Sequence, residues 1–236
     1  HLINMFLTPM SNAVQVHGGT VDKYIGDCVM AFWNAPLDDP DHAVHALRAA
    51  LQMRAELVKL NETLAAQAAA SGQEPVRLAI GIGLNTGSAV VGNMGSDQRF
   101  NYSALGDAVN LASRLEGQSK TYGVDLVVGE DTMEAAPGFD YVELDQIQVK
   151  GRKQPLRIFT ALGERAPVPD LAREHEAMIS AYRRQDWSAA AAALAACRRL
   201  APALASLYQE YERRIADYRD NPPPPDWDGV YVALTK

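Results

Sequence analysis

Asn110 and Arg114 stand four residues apart in the stretch F-N-Y-S-A-L-G-D-A-V-N-L-A-S-R-L-E, from Phe100 to Glu116, whose pattern reads as a helix. Residues at that spacing lie one turn apart on the same face, so an amide and a guanidinium would point into one pocket. Upstream, Val21-Asp22-Lys23-Tyr24-Ile25-Gly26-Asp27 offers the complement, a cation and a carboxylate bracketing a tight turn. Together these groups suit a nucleoside triphosphate and a metal ion, because a hard cation wants carboxylate oxygens.

The elements that must position these residues follow from hydrophobic spacing. His1 to Val16 carries apolar residues at helical intervals and stops before Gly18-Gly19. Thr20 to Ile25 and Cys28 to Trp33 read as two strands around the Gly26-Asp27 turn, and the second, C-V-M-A-F-W, is apolar without alternation, so both its faces should be covered. Asp41 is expected to cap a long amphipathic helix running from His42 to near Gln67, with Leu47, Leu51, Leu57 and Leu60 as buried candidates. Arg77 to Met94 holds two β-rich runs broken at Asn85-Thr86-Gly87, which reads as a hairpin. Gly81, Gly83 and Gly87 make no phosphate-binding loop, since the lysine and hydroxyl that such a loop needs do not follow, and hairpin geometry is their expected role.

After the Asn110 helix come a short strand, Asp125 to Val128, and a pair of strands, Tyr141 to Val149 and Leu156 to Ala161. Alternating strands and helices argue for an open α/β sandwich, whose uncovered face is the natural surface for a second copy. Composition shifts at Glu164-Arg165-Ala166-Pro167-Val168-Pro169. Beyond it, Leu171 to Arg184, Ser188 to Leu200 and Leu204 to Tyr218 read as helices. Tyr182, Trp187, the alanine run and Ala201-Pro202 resemble one tetratricopeptide-type hairpin, although a repeat array normally needs at least about three units. A helical appendage on the preceding domain or on its partner is the plainer reading.

Composition bounds the rest. With 47% hydrophobic and 22% charged residues over 236 positions, the chain can build one sizeable core and a smaller second unit. A net charge of −7 leaves no electrostatic footprint for nucleic acid. Cys28 and Cys197 are too few and too far apart for a disulfide framework or a cysteine-rich metal site, which fits a reducing compartment. No apolar run approaches a membrane span, and a start at His1 suggests a piece of a longer parent.

The K-Y-I-G-D-C-V-M-A-F-W segment followed by the Asn110–Arg114 helix resembles the catalytic domain of the class III adenylyl and guanylyl cyclases, over residues 1–162. The resemblance implies an α/β (α+β) fold, a ferredoxin-like sandwich of the class III nucleotide cyclase type, here followed by a linker at 163–170, a small all-α tetratricopeptide-like extension at 171–220 and a proline-rich tail at 221–236. It implies that Asp27 is a metal ligand for Mg²⁺ or Mn²⁺, two ions per site. Lys23 and Ser103 would contact the purine, Asn110 would orient the ribose, and Arg114 would brace the α-phosphate. Lys150 would reach the terminal phosphates, with Lys153 as its rival. A lysine ammonium has only donors and suits the adenine N1 acceptor, whereas a serine hydroxyl donates or accepts and leaves the choice of base open. The blander readings are a Gly-Asp turn, a solvated strand lysine, a turn serine, and an Arg114 paired with Glu116 or Asp107.

One departure stands out, because the family's first strand bears a second metal-binding aspartate and residues 1–21 here contain no Asp or Glu. The expected function is therefore an adenylate cyclase, converting ATP to 3′,5′-cyclic AMP and pyrophosphate in a cytoplasmic homodimer with shared sites, of which this chain alone lacks one metal ligand and should be inactive. Membrane anchoring of the parent, common among bacterial relatives, stays open. So do protein contacts made by the C-terminal helices. The alternatives are a catalytically inactive cyclase-like module that binds partners and, disfavoured by Lys23, a guanylate cyclase.

Overall fold

The structure is a computed structural model that describes residues 2–96, 98–148, 154–165 and 168–232. Helix α1 (Leu2–Val16) leads into a hairpin of β1 (Thr20–Ile25) and β2 (Cys28–Phe32), and then into the long helix α2 (His42–Ser71). Strand β3 (Ile82–Leu84) and the hairpin of β4 (Val90–Ser96) and β5 (Arg99–Leu105) precede α3 (Asp107–Tyr122), β6 (Leu126–Gly129) and the short α4 (Glu130–Ala135). Strands β7 (Phe139–Gln148) and β8 (Leu156–Glu164) are followed by α5 (Pro169–Arg183), α6 (Trp187–Leu200), α7 (Ala205–Asp220) and a two-residue strand β9 (Tyr231–Val232). No helix among the described residues is long and apolar enough to cross a membrane.

The main sheet has the order β3-β6-β8-β7-β9, and the β1–β2 and β4–β5 ladders stand apart from it. Period-two alternation sends neighbouring residues of the main sheet into different cores. Leu126, Val128, Phe159 and Ala161 pack with Met10 and Val14 of α1 and Leu47 and Met53 of α2. Val127, Leu144, Ile147 and Ile158 pack with Leu111 and Leu115 of α3 and with α5–α7. Helices therefore lie on both sides of the five strands. The open face expected for a second copy is not a feature of this sheet, because the C-terminal helices and α3 fill one side.

Several further expectations need correction. Asn85-Thr86-Gly87 is not a hairpin turn: β3 pairs in parallel with β6, while β4 pairs with β5 in register from Val90↔Leu105 to Ser96↔Arg99. The Asn85 amide instead donates to the carbonyls of Thr86 and Ala108, pinning the crossing chain to the start of α3. Gly83 is required by close packing rather than by a turn, since a Cβ there would lie 2.1 Å from the Ala112 carbonyl oxygen and 2.4 Å from the Glu116 nitrogen. Strand β2 is half-buried: Val29, Ala31 and Trp33 lean on the α1–α2 core, and Phe32 on the opposite face meets Tyr102 with ring centroids 5.9 Å apart. Asp41 occupies the N-cap position of α2 without a side-chain capping bond, and of the expected leucines Leu47 and Leu60 are fully buried while Leu51 and Leu57 are only partly so.

The C-terminal helices share the domain's core. Asp186 caps α6 by accepting the Ala189 N–H at 3.0 Å. Tyr182, Trp187, Tyr218 and Trp227 stack in edge and tilted pairs that fasten the tail, and β9 joins the edge of β7 in parallel. Below them Arg214, itself buried, donates to Asp145 of β7 and to Glu210, with the Tyr231 ring 3.7 Å from its guanidinium carbon. Asp145 also accepts from the Tyr122 hydroxyl at 2.7 Å, tying the last turn of α3 to the same group.

Candidate active site

The β1–β2 hairpin closes through a two-residue loop, Gly26-Asp27, between the paired Ile25 and Cys28. Gly26 takes φ +65°, the sign that the first position of so short a loop demands and that a side chain resists. Asp27 is thereby held at the exposed tip, with no hydrogen bond or ion pair to any described residue. The neighbouring Cys28 thiol is pushed up by burial first and then by the charges of Glu116 and Asp27, which places α3 within electrostatic reach of the hairpin tip.

Two residues earlier the ladder is irregular: Val21 faces Ala31 and Lys23 faces Met30, so Asp22 is an extra residue in β1. Such a bulge re-aims side chains that strict alternation would send to opposite faces. Asp22 and Lys23 consequently meet the same partner. Lys23 Nζ donates to Ser103 Oγ at 3.1 Å, and Ser103 Oγ donates in turn to Asp22 Oδ2 at 2.7 Å. The Ala104 N–H reaches the same oxygen at 3.1 Å. The other carboxylate oxygen of Asp22 is buried without a hydrogen bond and meets the Lys23 ammonium 3.3 Å away. The Asp22 side chain is 0% exposed and that of Lys23 39%.

Asn110 and Arg114 lie on the exposed face of α3, one turn apart as their spacing requires. Neither side chain makes a hydrogen bond or ion pair with another described residue, so the pairing of Arg114 with Glu116 or Asp107 is not formed. Their backbone is fixed from behind by Leu111 and Leu115 in the core and by the close seat of α3 on Gly83. Lys23 and Ser103 are thus brought together, while Asp27, Asn110 and Arg114 present free groups separately. Lys150 and its rival Lys153 lie outside the described residues. Sequence reading missed Asp22, which only the bulge turns towards Ser103.

Among the described residues no group of three or more His, Cys, Asp or Glu side chains could hold a metal ion. Asp27 offers one carboxylate with no second grouped beside it among the described residues, so these residues do not by themselves fit a two-metal centre.

Residues 1–161 match the family described as "Adenylate and Guanylate cyclase catalytic domain". The chain is 38% identical over 163 residues to Adenylate cyclase 1 of Rhizobium meliloti (strain 1021), covering 69% of this chain and 24% of that protein. It thus spans about a quarter of the length of that relative. The solved adenylyl cyclase CyaB from P. aeruginosa superposes with a TM-score of 0.60 at 33% identity, over 70% of this chain and 82% of that one. The guanylyl cyclase Cya2 gives a TM-score of 0.59 at 32% identity, over 71% and 82%, so similarity of fold does not choose the base. With the hairpin, the bulge and the Asn110–Arg114 helix all lying inside the matched span, the chain belongs to the adenylate and guanylate cyclase catalytic domain family.

Proposed function

We propose that this chain is the nucleotide-cyclising unit of an adenylate cyclase, converting ATP to 3′,5′-cyclic AMP and pyrophosphate. In that reaction the ribose 3′-oxygen attacks the α-phosphorus, the bond to the β-phosphate oxygen breaks, and pyrophosphate leaves. The observation that carries the reading is the contact between Lys23 Nζ and Ser103 Oγ at 3.1 Å, which sets a donor beside a hydroxyl, a pair of groups that suits a purine edge. Asn110 supplies an amide to orient the ribose, and the unpaired guanidinium of Arg114 braces the α-phosphate as its charge rises. Lys150 is assigned to the terminal phosphates by the family resemblance alone. Asp27 is assigned on the same ground as one ligand for Mg²⁺ or Mn²⁺.

The unit works as a homodimer. Support comes from apolar side chains left exposed on the two free hairpins: Tyr24 and Ile25 on the first, Val90, Phe100 and Leu105 on the second. Retention of free Asp27, Asn110 and Arg114 speaks against an inactive binding module, which would have no use for them. The test is to incubate the parent protein with ATP and with GTP in Mg²⁺ or Mn²⁺ and quantify both cyclic products. Cyclic AMP in excess supports the assignment; cyclic GTP-derived product in excess, or neither product, refutes it.

A further inference from the structure

The hydroxyl of Ser103 is ambiguous as a chemical group, but its surroundings remove the ambiguity. A serine hydroxyl has one proton and two lone pairs. Its proton goes to Asp22 Oδ2 at 2.7 Å, and one lone pair takes a proton from Lys23 at 3.1 Å. Only a lone pair is left. Asp22 cannot surrender the proton it receives, because a carboxylate is an acceptor alone and this one is enclosed, with its side chain 0% exposed. The Ala104 N–H on the same oxygen fixes the carboxylate against β5. The ammonium of Lys23 spends one proton on Ser103 and turns a second towards Asp22 Oδ1, which leaves its third for a ligand.

The outward face of the cluster therefore reads donor from Lys23 and acceptor from Ser103. Adenine presents the complement, an acceptor at N1 beside the amino protons at N6. Guanine held in the same pose presents a donor at N1 beside the acceptor O6, and both contacts become like against like. We propose that Asp22 is the specificity-setting residue of this site: by taking the Ser103 proton through the β1 bulge, it makes the hydroxyl an obligatory acceptor and selects adenine nucleotides over guanine nucleotides. Asp22 touches no substrate and acts through Ser103, so it is a positioning residue. The inference rests on the cyclase reading for the identity of the ligand.

The bulge is what permits this. In a regular strand Asp22 and Lys23 would point to opposite faces, and Ser103 would keep its proton free to turn towards either base. Ser103 is 3% exposed, so the base meets the ammonium first and the hydroxyl beneath it.

The experiment compares affinities for ATP and GTP by displacement of a fluorescent ribose-labelled nucleotide from the parent protein, alongside cyclic product formation. In Asp22→Ala the oxygen that accepts from both Ser103 and Ala104 is gone, which frees the hydroxyl proton to meet guanine O6. The ratio of ATP to GTP affinity should fall about tenfold or more. Ser103→Ala, which leaves the Asp22–Ala104 bond in place, should also lower the ratio, and adding Asp22→Ala to it should lower the ratio no further. If Asp22 and Ser103 do not read the base, both nucleotides weaken together or not at all and the ratio stays put, which overturns the proposal. An additive fall in the double variant overturns it as well, since Asp22 would then act by another route. Should Asp22→Ala fail to fold, Ser103→Ala against Ser103→Thr decides: the threonine hydroxyl must keep the ratio and alanine must lose it, and equal ratios overturn the proposal. A parent protein that binds ATP selectively yet makes no cyclic AMP refutes the cyclase reading and leaves this inference standing.

Discussion

Arg214 of α7 donates to Asp145 of β7 at 2.5 Å, and neither side chain is more than 2% exposed. A buried pair of this kind costs much to desolvate, and removing one partner strands the other charge in the core. Burial disfavours the charged guanidinium, yet the carboxylate of Asp145 together with Tyr122, Tyr211 and Tyr182 more than offsets it and holds Arg214 well above the usual arginine range. The C-terminal helices are thus bonded to the same sheet that carries α3, through groups that have no solvent to fall back on.

Arg214→Met should lower the unfolding free energy by about 3–5 kcal/mol, read from urea melts. Adding Asp145→Leu should restore a large part of that loss, because the stranded carboxylate is then gone. A single variant as stable as the original chain would show that the pair carries no weight.

His175 supplies a pH signature. Burial holds its imidazole down to about 4 against a weaker opposing pull from the Glu143 carbonyl, to which Nε2 lies 2.7 Å away. The unfolded chain takes up the proton near 6.5, so between about 6.5 and 4 it binds more protons than the folded one. Stability should be level above neutral pH and decline as pH falls through that window, by roughly 3 kcal/mol in total. His175→Gln should flatten that part of the curve of urea midpoint against pH; an unaltered slope would assign the effect to other groups.

Arg114 and Asn110 are exposed and unpaired, so replacing either with alanine should move the melting temperature little, within about 0.5 kcal/mol of stability. Cyclisation of ATP by the parent protein should nonetheless fall about 10²–10³-fold in Arg114→Ala. A loss of activity matched by a loss of stability would return Arg114 to a structural role.

The proposed shared site makes a further demand on the parent protein. Asp27→Asn and Arg114→Ala parents should each be nearly inactive as homodimers, and mixing them should regenerate one intact site per mixed dimer. Cyclic AMP output should rise with the second partner and saturate. Mixed dimers that form by sedimentation yet stay silent would exclude a shared site.

Much of this architecture was legible in the residues. The helix carrying Asn110 and Arg114, the Gly26-Asp27 turn and the three C-terminal helices follow from local periodicity and turn chemistry, which need no knowledge of distant partners. What escaped depends on distant partners. Strand β3 finds its parallel neighbour β6 far along the chain, so its glycines looked like turn formers when α3 was the reason for them. The β4–β5 hairpin was obscured by Gly92, Asn93 and Gly95, which weaken the strand pattern. Asp22 was invisible as a site residue because a bulge changes which face a side chain takes without changing composition. The docking of the tail is set by aromatic partners from three different helices.

The separate ladders of β1–β2 and β4–β5 have a mechanical consequence. Lys23, Asp22, Asp27 and Ser103 hang from these two hairpins, whereas Asn110 and Arg114 ride on α3, clamped to the main sheet at Gly83 and at Tyr122. Under the proposed roles, the hairpins assigned to the base can tilt against the helix assigned to the phosphates without breaking one hydrogen bond of the five-stranded ladder. On that proposal, closure around a nucleotide is a movement of hinges, and the sheet is its fixed frame.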